Sequence, residues 1–292
     1  MLSCDFFRFF IRGLLMGAAD ILPGISGGTI AFITGIYERL IHAIKTLDFR
    51  VFLFLIKGNK AEAYKALASI DFEFLVPLLL GIGLSFFMLS GVVKSALDCC
   101  PDLTYAFFFG LIFGSVVVMS KNIPLKATKL GILLNVAVFL VSFLIAYNFV
   151  SLPQMFLGHD AYVLFFSGVA AACVMLLPGV SGAFLVLILG QYEYLIEALH
   201  TVNFPIILIF SFGLFFGFLG FSRILDYLLQ RYKRITLVFL SGLVFGSLRL
   251  PLEKVMAAKP KDPTAVIFFA FLGMLIIFLI ERKASLKKRK KQ

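Results

Sequence analysis

Apolar runs dominate this chain, and polar residues fall in short clusters between them. Six apolar segments come close to the ~20 residues that a full membrane span needs, at about 73–93, 104–120, 130–149, 205–222, 236–250 and 263–281. Four shorter ones form two pairs, 6–22 with 29–44 and 161–177 with 183–199, and each pair is joined by a Pro-Gly turn. At ~1.5 Å per residue, an arm of about 16 residues reaches roughly 24 Å. A hydrocarbon core is ~30 Å thick. The arms are therefore re-entrant pairs or short tilted spans. The pattern predicts an all-α polytopic membrane protein built from two helical hairpins, each followed by three spans.

The two hairpins are copies. Pro23-Gly24-Ile25-Ser26-Gly27-Gly28 aligns with Pro178-Gly179-Val180-Ser181-Gly182-Ala183, and Gly35-Ile36-Tyr37-Glu38 with Gly190-Gln191-Tyr192-Glu193. At this offset of 155, 13 of the 27 positions from 23 to 49 are identical. Further on the offset becomes 132, where Gly110-Leu111-Ile112-Phe113-Gly114-Ser115 faces Gly242-Leu243-Val244-Phe245-Gly246-Ser247. These glycine-rich repeats read as helix-packing surfaces. The change of offset leaves 23 extra residues in the first half, within a polar insert at 50–72 that reads as an exposed loop, irregular or helical. The expected organisation is a first repeat at 1–149, a second at 150–281 and a basic tail at 282–292.

Composition confirms the membrane class. Hydrophobic residues make up 61% of the 292 positions and charged residues 15%, with a mean hydropathy of +1.03. A soluble domain lies nearer ~45–50% and ~25%. The formal charge is +11, and seven Lys/Arg follow Glu281. That tail directly follows an apolar run, so it reads as cytoplasmic topogenic charge, not as a nucleic-acid site. The basic loops 45–72, 121–129 and 223–234 are expected on the same side, and 150–161, which has no Lys or Arg, on the other. Loop 249–262 disagrees, since it is expected outside yet carries Arg249, Lys254, Lys259 and Lys261. An odd number of spans between matching hairpins makes the repeat inverted, as in many secondary transporters. Cys4, Cys99, Cys100, Cys173 and the three His show no metal-ligand spacing, so no metal or cofactor is expected.

The turns carry the candidate chemistry. Pro23 ends an arm, and Ser26 is placed to cap a helix starting near Gly27. The amides of Gly27 and Gly28, helped by Ser26 and Thr29, would face the hairpin tip, and Ser181 with Gly182 repeats the arrangement. Such a helix start favours an anion, phosphate above all. The plainer alternative is that both turns only end helices. Asp20 sits three residues before Pro23, where an acid is costly; it reads either as the coupling site for a proton or sodium ion or as a structural acid. Glu38 and Glu193 match between repeats and could be coupling groups or interfacial anchors. Arg12 and Arg39 could receive a phosphate headgroup or merely snorkel to the interface.

The same residues carry a resemblance. Gly17-Ala18-Ala19-Asp20-Ile21-Leu22-Pro23-Gly24-Ile25-Ser26-Gly27-Gly28-Thr29 with Gly35-Ile36-Tyr37-Glu38 resembles the first signature of the bacterial PopT family of polyprenyl-phosphate transporters, formerly a domain of unknown function. Leu176-Leu177-Pro178-Gly179-Val180-Ser181-Gly182 with Gly190-Gln191-Tyr192-Glu193 resembles the second. The likeness covers roughly 6–281, and Ala183 departs from it by replacing a second glycine. The resemblance implies a flippase in the bacterial cytoplasmic membrane that returns undecaprenyl phosphate, the envelope's carrier lipid, to the inner leaflet. Its partners would be that lipid, the surrounding membrane lipids and a coupling ion. A secondary transporter of a soluble anion or other small solute is the alternative. An enzyme is disfavoured, because no Ser-His-Asp or metal-ligand grouping is evident.

Overall fold

The computed structural model describes residues 2–21, 26–47, 59–122, 128–155, 157–260 and 262–289. Every regular element among them is a helix. The first half contains α1 (Leu2–Asp20), α2 (Gly27–Ile33), α3 (Tyr37–Lys45), α4 (Lys60–Ala68), α5 (Phe72–Cys99), α6 (Pro101–Asn122) and α7 (Lys129–Phe149). The second contains α8 (Ala161–Leu176), α9 (Gly182–Ile188), α10 (Tyr192–His200), α11 (Phe204–Arg231), α12 (Lys233–Ser247), α13 (Arg249–Ala257) and α14 (Pro263–Arg289). Of the polar insert, residues 59–72 are described and include α4, capped by the Asn59 side chain; residues 50–58 lie outside the described residues, as do Pro23 and Gly24 of the first turn.

Among the described residues, five stretches are long and apolar enough to cross a membrane: Phe72–Leu89, Pro101–Ser120, Lys129–Phe149, Phe204–Arg231 and Lys233–Ala257. They fall on five of the six expected spans. The sixth, in α14, is shorter, with its apolar part at Pro263–Leu279. Arg249 accounts for part of the loop that broke the charge pattern. Its guanidinium lies 4.2 Å from the Tyr147 ring and donates to the Tyr147 carbonyl at 2.9 Å and to Glu253 at 2.6 Å. Arg249 is thus part of the packing.

The second arm of each hairpin departs from the sequence reading. It is not continuous over 29–44 or 183–199 but breaks at Gly35 and Gly190, both at φ +70°. The backbone closes each break identically. Gly35 N–H donates to the Phe32 carbonyl and Ile36 N–H to Ala31, as Gly190 does to Leu187 and Gln191 to Val186. This is the Schellman stop, in which a left-handed glycine lets the last carbonyls find donors. The two pieces of the second hairpin, α9 and α10, meet at 104°.

Equivalent helices pack alike. α1 lies on α5 and α8 on α11. A methyl group on Gly13 would collide with the Leu78 carbonyl, and one on Gly168 with the Phe210 carbonyl, so both pairs approach at equivalent positions. The repeats also interlock: α6 packs on α14, and α12 on α7. Gly110 and Gly242 lie in those seams, against Ala270 and Ser142, as expected of packing surfaces.

Candidate functional site

The site is built where the two turns meet. Ser26 caps α2, its Oγ accepting from Gly28 N–H at 3.1 Å, and its carbonyl accepts from Thr29 N–H at 2.9 Å. Gly27 N–H donates to Asp20 Oδ1 at 2.5 Å. The first three amides of α2 therefore all have acceptors within the hairpin. The sequence reading left Gly27 and Gly28 facing the tip; the fold instead turns the last residue of α1 onto Gly27. Asp20 thus occupies the Gly27 amide that an anion at this tip would use.

The second tip has the same backbone and different chemistry. Ser181 caps α9, accepting from Phe184 N–H at 3.4 Å. Met175 stands where the first repeat has Asp20, and its side chain lies over Gly182. A thioether is a weak acceptor. The amides of Gly182 and Ala183 have no hydrogen-bond acceptor among the described residues. Ala183 is exposed, whereas α2 is buried throughout except for Phe32.

The tips touch. Gly179, at φ +87°, donates its N–H to Thr29 Oγ1 at 2.8 Å, a buried bond between turns 150 residues apart. Tyr37 Oη donates to the Leu176 carbonyl at 2.7 Å and ties α3 to the end of α8. Thr29, Ser26, Ser181, Gly27, Gly28 and Gly182 are thereby gathered around one junction, with Asp20 at its edge.

A sequence model of the undecaprenyl phosphate translocase-like family matches residues 16–267, across both turns. The chain belongs to that family. It is 39% identical to a polyprenyl-phosphate transporter of Vibrio cholerae over 248 residues, covering 84% of this chain and 77% of that protein. It is 31% identical to a polyprenyl-phosphate transporter of Staphylococcus aureus over 283 residues, covering 92% of this chain and 91% of that one. No solved structure matches it. With at least five spanning stretches, this translocase-like chain is an integral membrane protein.

The remaining candidates divide. Arg39 donates to both oxygens of Asp71 at 2.7 and 3.0 Å, and its guanidinium lies 4.7 and 4.8 Å from the Phe9 and Phe74 rings. It borders a cleft of about 570 Å³ that Asp5 and Glu73 also line. A phosphate would have to compete with these acids. Arg12, on α1, has no acidic partner among the described residues. Glu38 pairs with Lys233 at 2.7 Å, while its repeat partner Glu193 is exposed and unpaired among the described residues. Neither glutamate reaches the junction by a hydrogen bond among the described residues.

Sequence reasoning missed Asp226. Its side chain is 6% exposed and is met by Lys45 Nζ, by His42 Nδ1 at 3.2 Å and by Gln230 Nε2 at 2.7 Å. The cluster fastens α3 to α11, joining the first hairpin to the second repeat. No local signal marked it, because residues 223–234 read as a basic loop, whereas α11 continues through Arg231. Gln191 was missed as well. Fully buried, it donates to the carbonyls of Leu157, Gly158 and Leu189, and its Oε1 lies 3.0 Å from His159 Nδ1.

Proposed function

We propose that this chain is a transporter that carries undecaprenyl phosphate, or a polyprenyl phosphate of the same kind, between the leaflets of the bacterial cytoplasmic membrane. Membership of a family so described, with polyprenyl-phosphate transporters at 39% and 31% identity, supports the substrate class. The observation that carries the site is the Thr29–Gly179 contact, which puts both turns at one place. The phosphate binds at this junction, to the unpaired amides of Gly182, beneath the Met175 side chain, and Ala183 with Ser181, while the polyprenyl tail stays in the bilayer. A phosphate cannot cross hydrocarbon without partners, at a cost of several kcal/mol or more. The hairpins enter from opposite membrane faces as an inverted repeat, the tail at 282–292 lies in the cytoplasm, and Arg12 receives the headgroup on its way in.

Asp20 is the coupling group in this reading. A phosphate monoester carries about −1.5 to −2 charge at neutral pH, and each charge moved across 100 mV is worth about 2.3 kcal/mol. Inward passage against a negative interior therefore calls for neutralisation. When Asp20 takes up a proton or pairs with a sodium ion, its hold on Gly27 N–H weakens and that amide becomes available to the phosphate. Vesicles reconstituted with the purified chain test this by leaflet-to-leaflet movement of polyprenyl phosphate. Wild type moves the lipid faster under a pH or sodium gradient, and Asp20→Asn loses that dependence. Movement of a soluble anion but not of the lipid would overturn the substrate reading. Gradient dependence unchanged in folded Asp20→Asn would remove Asp20 from coupling.

A further inference from the structure

The two hairpins are related by sequence but seated differently. α3 packs along α11, whereas its counterpart α10 does not pack along α5 among the described residues. α2 reaches α6 and α8, and α9 has no comparable packing on α12 or α1. The first hairpin is closed onto the opposite repeat and the second is not. The closure of the first is held by Asp226 on α11, met by Lys45 and His42 from α3.

The repeat correspondence shows what would close the second. α5 and α11 are both 28 residues long and begin at Phe72 and Phe204, an offset of 132. The carbonyls of Leu78 and Phe210, which face the hairpins' first arms, stand at that same offset, so the register holds in packing as well as in sequence. Asp226 then corresponds to Lys94. At the hairpin offset of 155, His42 corresponds to Glu197 and Lys45 to His200. The complementarity survives with its sign reversed: hairpin one brings bases to an acid, and hairpin two brings an acid to a base. In this conformation Glu197 is exposed and has no ion-pair partner among the described residues.

Resting on the transport reading above, we infer that Asp226 with Lys45 and His42 is the closed gate of the first hairpin, and that Lys94 with Glu197 is the matching gate of the second. The second gate forms in the conformation that opens the first. These are positioning residues: they hold a hairpin shut beside the junction and do not touch the phosphate. The reason for two gates is general. A carrier must expose its site to one side at a time, and an element with two discrete seatings needs contacts that differ between them.

Paired cysteines test the inference in membranes, in the full chain with Cys4, Cys99, Cys100 and Cys173 replaced by Ser. Lys45→Cys with Asp226→Cys is expected to crosslink in the resting protein. Lys94→Cys with Glu197→Cys is expected to crosslink as well, in a fraction that changes when polyprenyl phosphate is added. Locking either pair stops lipid movement, and reduction restores it. Charge variants add a readout that packing alone would not move. Glu197→Lys slows transport at least tenfold, and adding Lys94→Glu restores the rate. A 94/197 pair that never crosslinks while 45/226 does, or a Glu197→Lys protein with full transport, overturns the inference. Crosslinking reads conformations without reference to cargo, so a chain that failed to move polyprenyl phosphate could still form both crosslinks. The two readings fail separately.

Discussion

The two hairpins share 13 of 27 aligned residues, the same serine caps and the same glycine breaks, yet one is buried and satisfied and the other is half open. In the first, α2 starts with every amide bonded and α3 lies fastened to α11. In the second, Gly182 and Ala183 offer amides with no acceptor among the described residues, and α10 has no such seat on α5. The difference at the tips comes down to one position, where Asp20 faces Gly27 and Met175 faces Gly182. A duplicated backbone has been given an internal anion on one side only. In the proposed mechanism, one tip accepts phosphate outright and the other only after its own carboxylate lets go.

The sharpest way to break this comparison is to equalise the tips. Met175→Asp should place a competing carboxylate beside Gly182 and weaken binding of polyprenyl phosphate to the purified protein at least tenfold. Hydrogen bonds to charged groups are worth about 1.5–3 kcal/mol, and about 1.4 kcal/mol is a factor of ten. Unaltered binding by a folded Met175→Asp protein would show that the acid does not set the difference between the tips.

A smaller effect is expected at the contact between them. Thr29→Val keeps the side chain's shape but leaves the buried Gly179 N–H without an acceptor. An unsatisfied buried donor costs about 1–3 kcal/mol. Thermal unfolding in detergent should show that loss for Thr29→Val and little change for Thr29→Ser. Equal melting of all three proteins would mean that the tips do not depend on this bond.

The smallest effects belong to the caps. Ser26→Ala and Ser181→Ala should each cost about 0.5–2 kcal/mol. Ser26 should cost more, because it is 4% exposed with a 3.1 Å cap bond, against 3.4 Å at the half-buried Ser181. The reverse order in the same melting assay would contradict the closed-versus-open description.

Much of the fold was legible in the chain. Helix starts at Ser26 and Ser181 follow from local cap chemistry, and the seams at Gly110 and Gly242 follow from small residues at fixed spacing. The breaks at Gly35 and Gly190 were equally local. They were read past because apolar residues continue on both sides, and hydrophobic periodicity does not register a left-handed glycine. Of the candidate residues, Thr29 bonds to Gly179 of the second turn, while Ser26 and Ser181 cap their own helices. Arg39 and Glu38 proved to be committed to Asp71 and Lys233, partners 32 and 195 residues away that no local pattern names.

By itself the sequence determined the class, the duplication, the caps and the placement of two Pro-Gly-x-Ser-Gly turns, because these depend on composition and on interactions within a few residues. It left the two hairpins equivalent. Only the tertiary structure decided that the first is closed and the second open, that Asp20 occupies Gly27, and that Asp226 gathers Lys45 and His42. Those outcomes depend on which helix lies beside which. A repeated sequence allows that choice to be made differently at its two ends, because the packing contacts and ion pairs that seat a hairpin join residues far apart in the chain.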